Sequence, residues 1–347
     1  MDRRSQSTTT SSAADTGSLH CIVKLGGSAV SCKNELETIN EDNLSIVSSQ
    51  LRQGMISEPS HGMDWSRRPG STAIQTVVDK FDDKLESQCK RLIVVHGAGS
   101  FGHFQASRSG VHKGGLNKPL VKAGFVATRI SVTTLNLEIV RALAKEGIPS
   151  IGMSPFSCGW STCKRNIAMA DTSTVVKALD AGFVPVLHGD AVLDTSLGCT
   201  ILSGDVIISH LAEHLRPDYV VFLVSTADQW FSDGYYLCFI LTDVSGVYDR
   251  PPTEPGAVLL REIAVRDDGS WSVLQPKLQD EVEITVAAHD TTGGMVTKIT
   301  EAAMIAKLGI DVYIVKAATE HSARALKGPL PHNIPNDWLG TVIRLAN

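Results

Sequence analysis

The sequence has no run of 18 apolar residues, so we expect no membrane-spanning helix. It also lacks any C-x-x-C pair. Its seven cysteines, at 21, 32, 89, 158, 163, 199 and 238, are odd in number and fit neither a zinc site nor a disulfide framework. They read as reduced thiols of a cytosolic protein. There is no excess of positive charge: the formal net charge is −5, which gives no global basic field for nucleic acid. The first residues, MDRRSQSTTTSSAADTGSLH, have no apolar core and are no secretory signal. They are Ser/Thr-rich with two early arginines, but Asp2, Asp15 and the short length argue against an organelle transit peptide. We read residues 1–20 as a disordered leader.

What is present is a series of short apolar runs: CIVKL (21–25), RLIVVH (91–96), VPVLH (184–188), YVVFLV (219–224), YLCFILT (236–242) and VYIVK (312–316). Helical spacing fills several intervals. Lys122 to Glu146 ends at Gly147-Ile-Pro149, and Thr172 to Asp180 ends at Gly182. Asp205 to Leu215 stops before Pro217, and Thr297 to Leu308 stops at Gly309. Strands alternating with helices predict an α/β fold: an open αβα sandwich around a central, mostly parallel sheet. Residues 49–72 are mixed and turn-rich, and we expect a surface excursion there.

Three of the runs end alike, in Lys24-Leu-Gly-Gly-Ser28, His96-Gly-Ala-Gly-Ser100 and His188-Gly-Asp190. Ligands of open parallel sheets bind beyond the carboxyl ends of the strands. Glycine there lets backbone N–H groups approach an anion. Any one such turn reads as a tight strand-to-helix connection. Three together suggest a polyanionic ligand.

Gly97-Ala-Gly99-Ser-Phe-Gly102 also matches G-x-G-x-x-G after a strand, the dinucleotide fingerprint. That motif needs an acidic residue about 20 positions on, for the ribose. None occurs between His103 and Glu138, where Arg108, His112, Lys113, Lys118, Lys122 and Arg129 stand instead. The charge suits phosphate. Neither a P-loop nor the protein-kinase signatures are present. His96 and His188 end strands and read as satisfied by backbone. His103 follows the glycine turn, on what we take to be a loop, and is the better candidate for chemistry. Lys24 lies within an apolar strand and needs an anionic partner, a ligand or Asp205.

IVKLGGSAVSCKNE, VVHGAGSFGHFQASRSGVHKGG, PVLHGDAV, ILSGDVI, LTDVSGVYD and HDTTGGMVTKITEA, in this order, resemble the amino acid kinase superfamily. Within it the Ser100-Phe-Gly-His103 element is similar to that of the isopentenyl phosphate kinases, plant type. The resemblance runs from about Cys21 to the end. It implies one kinase domain over 21–347, with an acceptor-phosphate lobe over about 21–200 and a nucleotide lobe over about 201–347. It implies ATP and Mg²⁺ as cofactors, phosphorylation of isopentenyl phosphate (with dimethylallyl phosphate as a second substrate) and a homodimer. Alternatives are a related phosphate-monoester or phosphonate kinase, a non-catalytic binding subunit, or an impaired splice form.

The resemblance also implies residue roles. Lys24, Leu25, Gly26, Gly27 and Ser28 bind ATP, with Lys24 on the transferred group and Lys33 adding charge. Ala98, Gly99 and His103 hold the acceptor phosphate, and Gly99 also faces ATP. Gly189 and Asp190 close the acceptor side, and Asp205 orients the lysines. Asp243, Gly293, Gly294 and Lys298 serve the nucleotide, and no side chain is nominated for the metal. The catalytic set is therefore Lys24, His103, Asp205 and Lys298. Phe104, Phe125, Met153 and Phe156 are candidates for an apolar tail pocket, beside a substrate-side loop at 154–166. One departure stands out. Residues 224–240 interrupt the passage from YVVFL to TDV. Either YLCFILTDV takes the strand slot and YVVFLV is displaced, or the reverse.

Overall fold

The computed structural model describes residues 18–32, 35–55, 90–225, 245–250, 252, 255–276 and 295–346, with backbone alone for 295–298. In chain order the elements are β1 (Cys21–Leu25), α1 (Gly27–Val30), α2 (Glu41–Met55), β2 (Leu92–His96), α3 (Gly99–Ser109), α4 (Pro119–Lys145), β3 (Ser150–Met153), β4 (Ser161–Cys163) and β5 (Asn166–Met169). Then follow α5 (Ser173–Asp180), β6 (Val184–His188), β7 (Asp190–Asp194), β8 (Gly198–Leu202), α6 (Gly204–Leu215) and β9 (Tyr219–Val224). The last are β10 (Val247–Tyr248), β11 (Leu259–Leu260), β12 (Glu262–Val265), β13 (Trp271–Gln275), α7 (Met295–Ala306), β14 (Asp311–Lys316), α8 (Glu320–Lys327) and β15 (Thr341–Leu345).

Among the described residues nine strands form one sheet in the order β13-β12-β15-β14-β9-β1-β2-β6-β3. Within it only β14–β15 and β12–β13 pair antiparallel. The central strands are buried along their whole length, which explains their continuous apolar runs. Strand alternation sends Ile22, Val95, Leu187 and Phe222 to one face, where α5, α6 and α7 cover them. Val23, Leu25, Val94 and Val186 face the other way, under α2, α4 and α8. The result is the αβα sandwich with a mostly parallel sheet.

The helices carry their own stop and start signals. The 27-residue α4 opens with Pro119 in its first turn and gives way to Gly147 at φ 79°, the left-handed conformation that favours glycine. On α6, the Ser203 hydroxyl caps the first turn by accepting from the Val206 N–H at 3.3 Å.

Three features differ from the expectations, and one open alternative is decided. Residues 49–55 are the second half of α2, with Leu44, Val47 and Leu51 buried, so the surface excursion does not include them; residues 56–72 lie outside the described ones. YVVFLV holds the slot between β1 and β14, while YLCFILT lies outside the described residues. The end of the expected leader is tied to the sheet: Leu19 is buried and its carbonyl accepts from the Asp218 N–H, while His20 N–H donates to Arg91 O. A second sheet, β5-β4-β7-β8, rises from the 154–166 region, so part of that segment is strand. Among the described residues no helix is long and apolar enough to cross a membrane.

Candidate active site

β1, β2 and β6 are neighbours in the sheet, so their three glycine-bearing ends lie side by side at the carboxyl edge. The first glycine of each turn is committed to the sheet ladder. Gly26 N–H donates to Leu223 O at 2.9 Å, Gly97 N–H to Leu25 O at 3.0 Å and Gly189 N–H to His96 O at 3.0 Å. The residues after them differ. The N–H groups of Gly27, Ala98 and Gly99 have no backbone acceptor among the described residues. The turns also interlock. A Cβ on Gly27 would lie 2.5 Å from Gly99 Cα, and one on Gly99, at φ +53°, would lie 2.3 Å from Ser31 Oγ. Ser31 in turn accepts from the Ser100 N–H at 3.1 Å. The edge therefore presents two helix starts, at Gly27 and Gly99, in backbone contact.

Lys24 points to the face covered by α6 and α7, between Phe222 and Val95 on the adjacent strands. Its ammonium is 5.6 Å from the Phe222 ring centroid and pairs with the Asp205 carboxylate from the first turn of α6. Lys24 is nearly buried and Asp205 is partly open. A third ionisable group adjoins them. Glu301 on α7 accepts from Ser209 Oγ at 2.7 Å. Burial raises the Glu301 carboxyl above its ordinary range. The Ser209 bond opposes this, Asp205 adds to it, and Lys24 acts against it.

The opposite face of the same edge carries two buried histidines. His96 and His188, in register on β2 and β6, stack with centroids 5.5 Å apart. Each Nδ1 bonds to the carbonyl of the following glycine, at 2.9 Å for His96 and 3.0 Å for His188. Asn136 Nδ2 of α4 donates to His96 Nε2 at 3.1 Å and to Val186 O at 3.0 Å. With Nε2 accepting, Nδ1 carries the proton and His96 is neutral. Burial holds the His96 ring down to about 3, helped by His188, and lowers His188 as well.

His103 corrects one expectation: it is in the second turn of α3, not in a loop, and it is exposed. The helix starts within the glycine run because Ala98 O already accepts from Phe101 and Gly102 N–H. Gly102 is needed for packing, with a Cβ there lying 2.7 Å from Val132 Cγ1.

Asp190 is buried, and both its oxygens are engaged. Oδ1 takes Arg129 Nε at 3.3 Å; Oδ2 takes Ser154 Oγ at 2.7 Å and Phe156 N–H at 3.3 Å. Arg129 also reaches Ser154 Oγ at 2.9 Å and stacks 4.1 Å over the Phe156 ring. No local sequence pattern marks this clasp of Arg129, Asp190 and the 154–157 strap, because it joins residues 25 to 61 positions apart. Phe156 meets Phe125 edge-on at 5.6 Å, so these two candidates for the apolar pocket come together. Met153 is buried and Phe104 is exposed. Lys33, Asp243, Gly293 and Gly294 lie outside the described residues, and Lys298 is placed by backbone only, in the first turn of α7. Among the described residues no group of three or more His, Cys, Asp or Glu is arranged for a metal.

The amino acid kinase family model matches residues 20–227 and 236–316. The chain belongs to that family. The gap at 228–235 falls inside the insert at 224–240. An isopentenyl phosphate kinase of Arabidopsis thaliana is 66% identical over 338 residues, 95% of this chain and 96% of that protein. One from Methanothermobacter thermautotrophicus is 31% identical over 93% of this chain and 96% of its own length. The fold also matches an X-ray structure of isopentenyl phosphate kinase with a TM-score of 0.63 and 27% identity, over 93% of this chain and 99% of that one.

Proposed function

We propose that this kinase transfers the γ-phosphoryl group of ATP to isopentenyl phosphate, giving isopentenyl diphosphate and ADP. The observation that carries this is the near full-length similarity to the Arabidopsis isopentenyl phosphate kinase. The chemistry suits the edge. A phosphate monoester has a second pKa of about 6, so it attacks without a strong base. Its oxygen forms the new bond to Pγ as the bond from Pγ to the β-bridging oxygen breaks, and ADP leaves with that electron pair. The protein must supply position and positive charge.

In this reading Lys24, held by Asp205, faces the transferring group. Leu25, Gly26, Gly27 and Ser28 line the ATP phosphates with their backbone. Ala98, Gly99 and His103 hold the acceptor phosphate. Gly189 shapes the acceptor side, since its N–H is already used. Asp190 acts there through Arg129 and the 154–157 strap. Lys33, Asp243, Gly293, Gly294 and Lys298 complete the nucleotide side, and the start of α7 suits phosphates. With no side-chain cluster arranged for a metal among the described residues, Mg²⁺ would arrive with the ATP phosphates and water and would offset phosphate charge. Phe125 and Phe156 form the wall for a prenyl tail, isopentenyl or dimethylallyl.

We further infer a cytosolic homodimer. Support for the dimer comes from the outer face of α4, where Leu120, Val126, Ile130 and Leu137 are exposed. The test of function is ADP release by the purified chain with Mg·ATP and a panel of monoesters. Turnover with isopentenyl phosphate well above that with simple alkyl phosphates is expected. Equal rates across the panel would point to a general phosphate-monoester kinase, and no release with isopentenyl phosphate would refute the reading.

A further inference from the structure

We propose that Glu301 is a positioning residue, coupling the nucleotide end of α7 to the Lys24–Asp205 pair through its hydrogen bond with Ser209. The proposal rests on the phosphoryl-transfer reading of the edge.

Both helices run from the carboxyl edge of the sheet towards its other end, because each leads into a strand parallel to β1: α6 into β9 and α7 into β14. Their starts therefore lie at the same edge as the glycine turns. Asp205 is in the first turn of α6, and Ser209 is four residues on, on the same helix face. Ser209 Oγ donates to Glu301 Oε2 at 2.7 Å, six residues into α7. Position 298, three residues before Glu301, lies one turn nearer the edge. The bond is thus a clasp one turn below two positions in the site, and it sets the separation of the helices that bear them.

The apolar neighbours of Glu301 do not fix that separation with comparable direction. Ile299, Ala302 and Ala303 are buried in a core that includes Ile207 and Ile208 of α6, but they carry no polar atoms. Glu301 is also within electrostatic reach of both Asp205 and Lys24. A carboxyl beside two polyanions is unfavourable for binding by charge alone. Its use is therefore as a hydrogen-bond acceptor, which a neutral amide can replace.

The test is a set of three variants, Glu301→Ala, Ser209→Ala and Glu301→Gln, plus the Ala/Ala double variant. Each is assayed for KM of ATP and of isopentenyl phosphate. Calorimetric affinity for a non-hydrolysable ATP analogue is measured in parallel. Both single Ala variants should raise KM for ATP by about tenfold, the scale of one lost hydrogen bond, and leave KM for isopentenyl phosphate unchanged. The double variant should be no worse than either single one. Glu301→Gln, whose carbonyl still accepts from Ser209, should stay within about twofold of the parent. Equal changes in both KM values would overturn the proposal. So would unchanged nucleotide affinity with a lower melting temperature, or a Gln variant as damaged as Ala. The unsubstituted chain is the control. If it releases no ADP with isopentenyl phosphate, the proposed function fails, and the calorimetric comparison still decides the clasp.

Discussion

Lys24 and His96 stand one register step apart on adjacent strands, yet they solve burial in opposite ways. Lys24 turns to the α6 face and keeps a carboxylate partner. His96 turns to the α4 face, gives its Nδ1 proton to a backbone carbonyl and accepts from Asn136. Parity along the strand assigns the roles: even and odd positions of the same edge meet different layers. In the proposed reading the Lys24 side of the edge meets phosphate charge, while on the other side the His96–His188 pair anchors the glycine turns through their backbone carbonyls.

Three perturbations would break or sharpen that contrast. The largest effect is expected from Gly99→Ala. The substitution forces a Cβ against Ser31 Oγ and strains a residue at φ +53°. Strain of this kind costs about 1–3 kcal/mol. It acts at the point where the β1 and β2 turns touch, so kcat should fall by roughly a hundredfold or more, on the scale of a lost preorganised donor. Steady-state kinetics with a denaturation curve would separate the two losses. Next is His103→Ala. His103 is exposed on α3, so stability should change by less than about 0.5 kcal/mol. The acceptor kcat/KM should drop by about a hundredfold.

The smallest effect on turnover is expected at His96, where the change is one of stability. His96 titrates at about 3 in the fold and near 6.5 when unfolded. Below about pH 6.5 the unfolded chain takes up a proton that the folded one refuses. Stability is therefore fully present above about pH 6.5 and declines as pH falls towards 3, by at most about 1.4 kcal/mol per pH unit for this group. His96→Gln should flatten that acid limb in urea titrations between pH 4 and 7.

Much of this was legible in the sequence because it is local. Apolar runs that stop at glycine gave β1, β2 and β6, and the missing carboxylate after His103 turned the fingerprint away from a dinucleotide. Lys24 in an apolar strand required a partner, and Asp205 was one of two named. Other features depend on which strands become neighbours, which a single sequence does not state. The Arg129–Asp190 clasp joins α4 to β7, and Ser209 meets Glu301 across 92 positions. For α2 the signal was present in Leu44, Val47 and Leu51 at helical spacing. The turn-rich stretch that follows Arg52 masked it. His103 looked like a loop residue because glycine and serine precede it, but the Ala98 carbonyl starts the helix there.

The division of the edge is tested most directly by comparing Lys24→Met with His96→Gln, each measured for kcat with Mg·ATP and isopentenyl phosphate and for unfolding free energy. Lys24→Met should lose at least about a hundredfold in kcat and stay folded. His96→Gln can satisfy only one of the two hydrogen bonds, so it should lose about 1–2 kcal/mol of stability and keep kcat near the parent value. An active Lys24→Met enzyme, or a His96→Gln enzyme that is stable but inactive, would contradict the account.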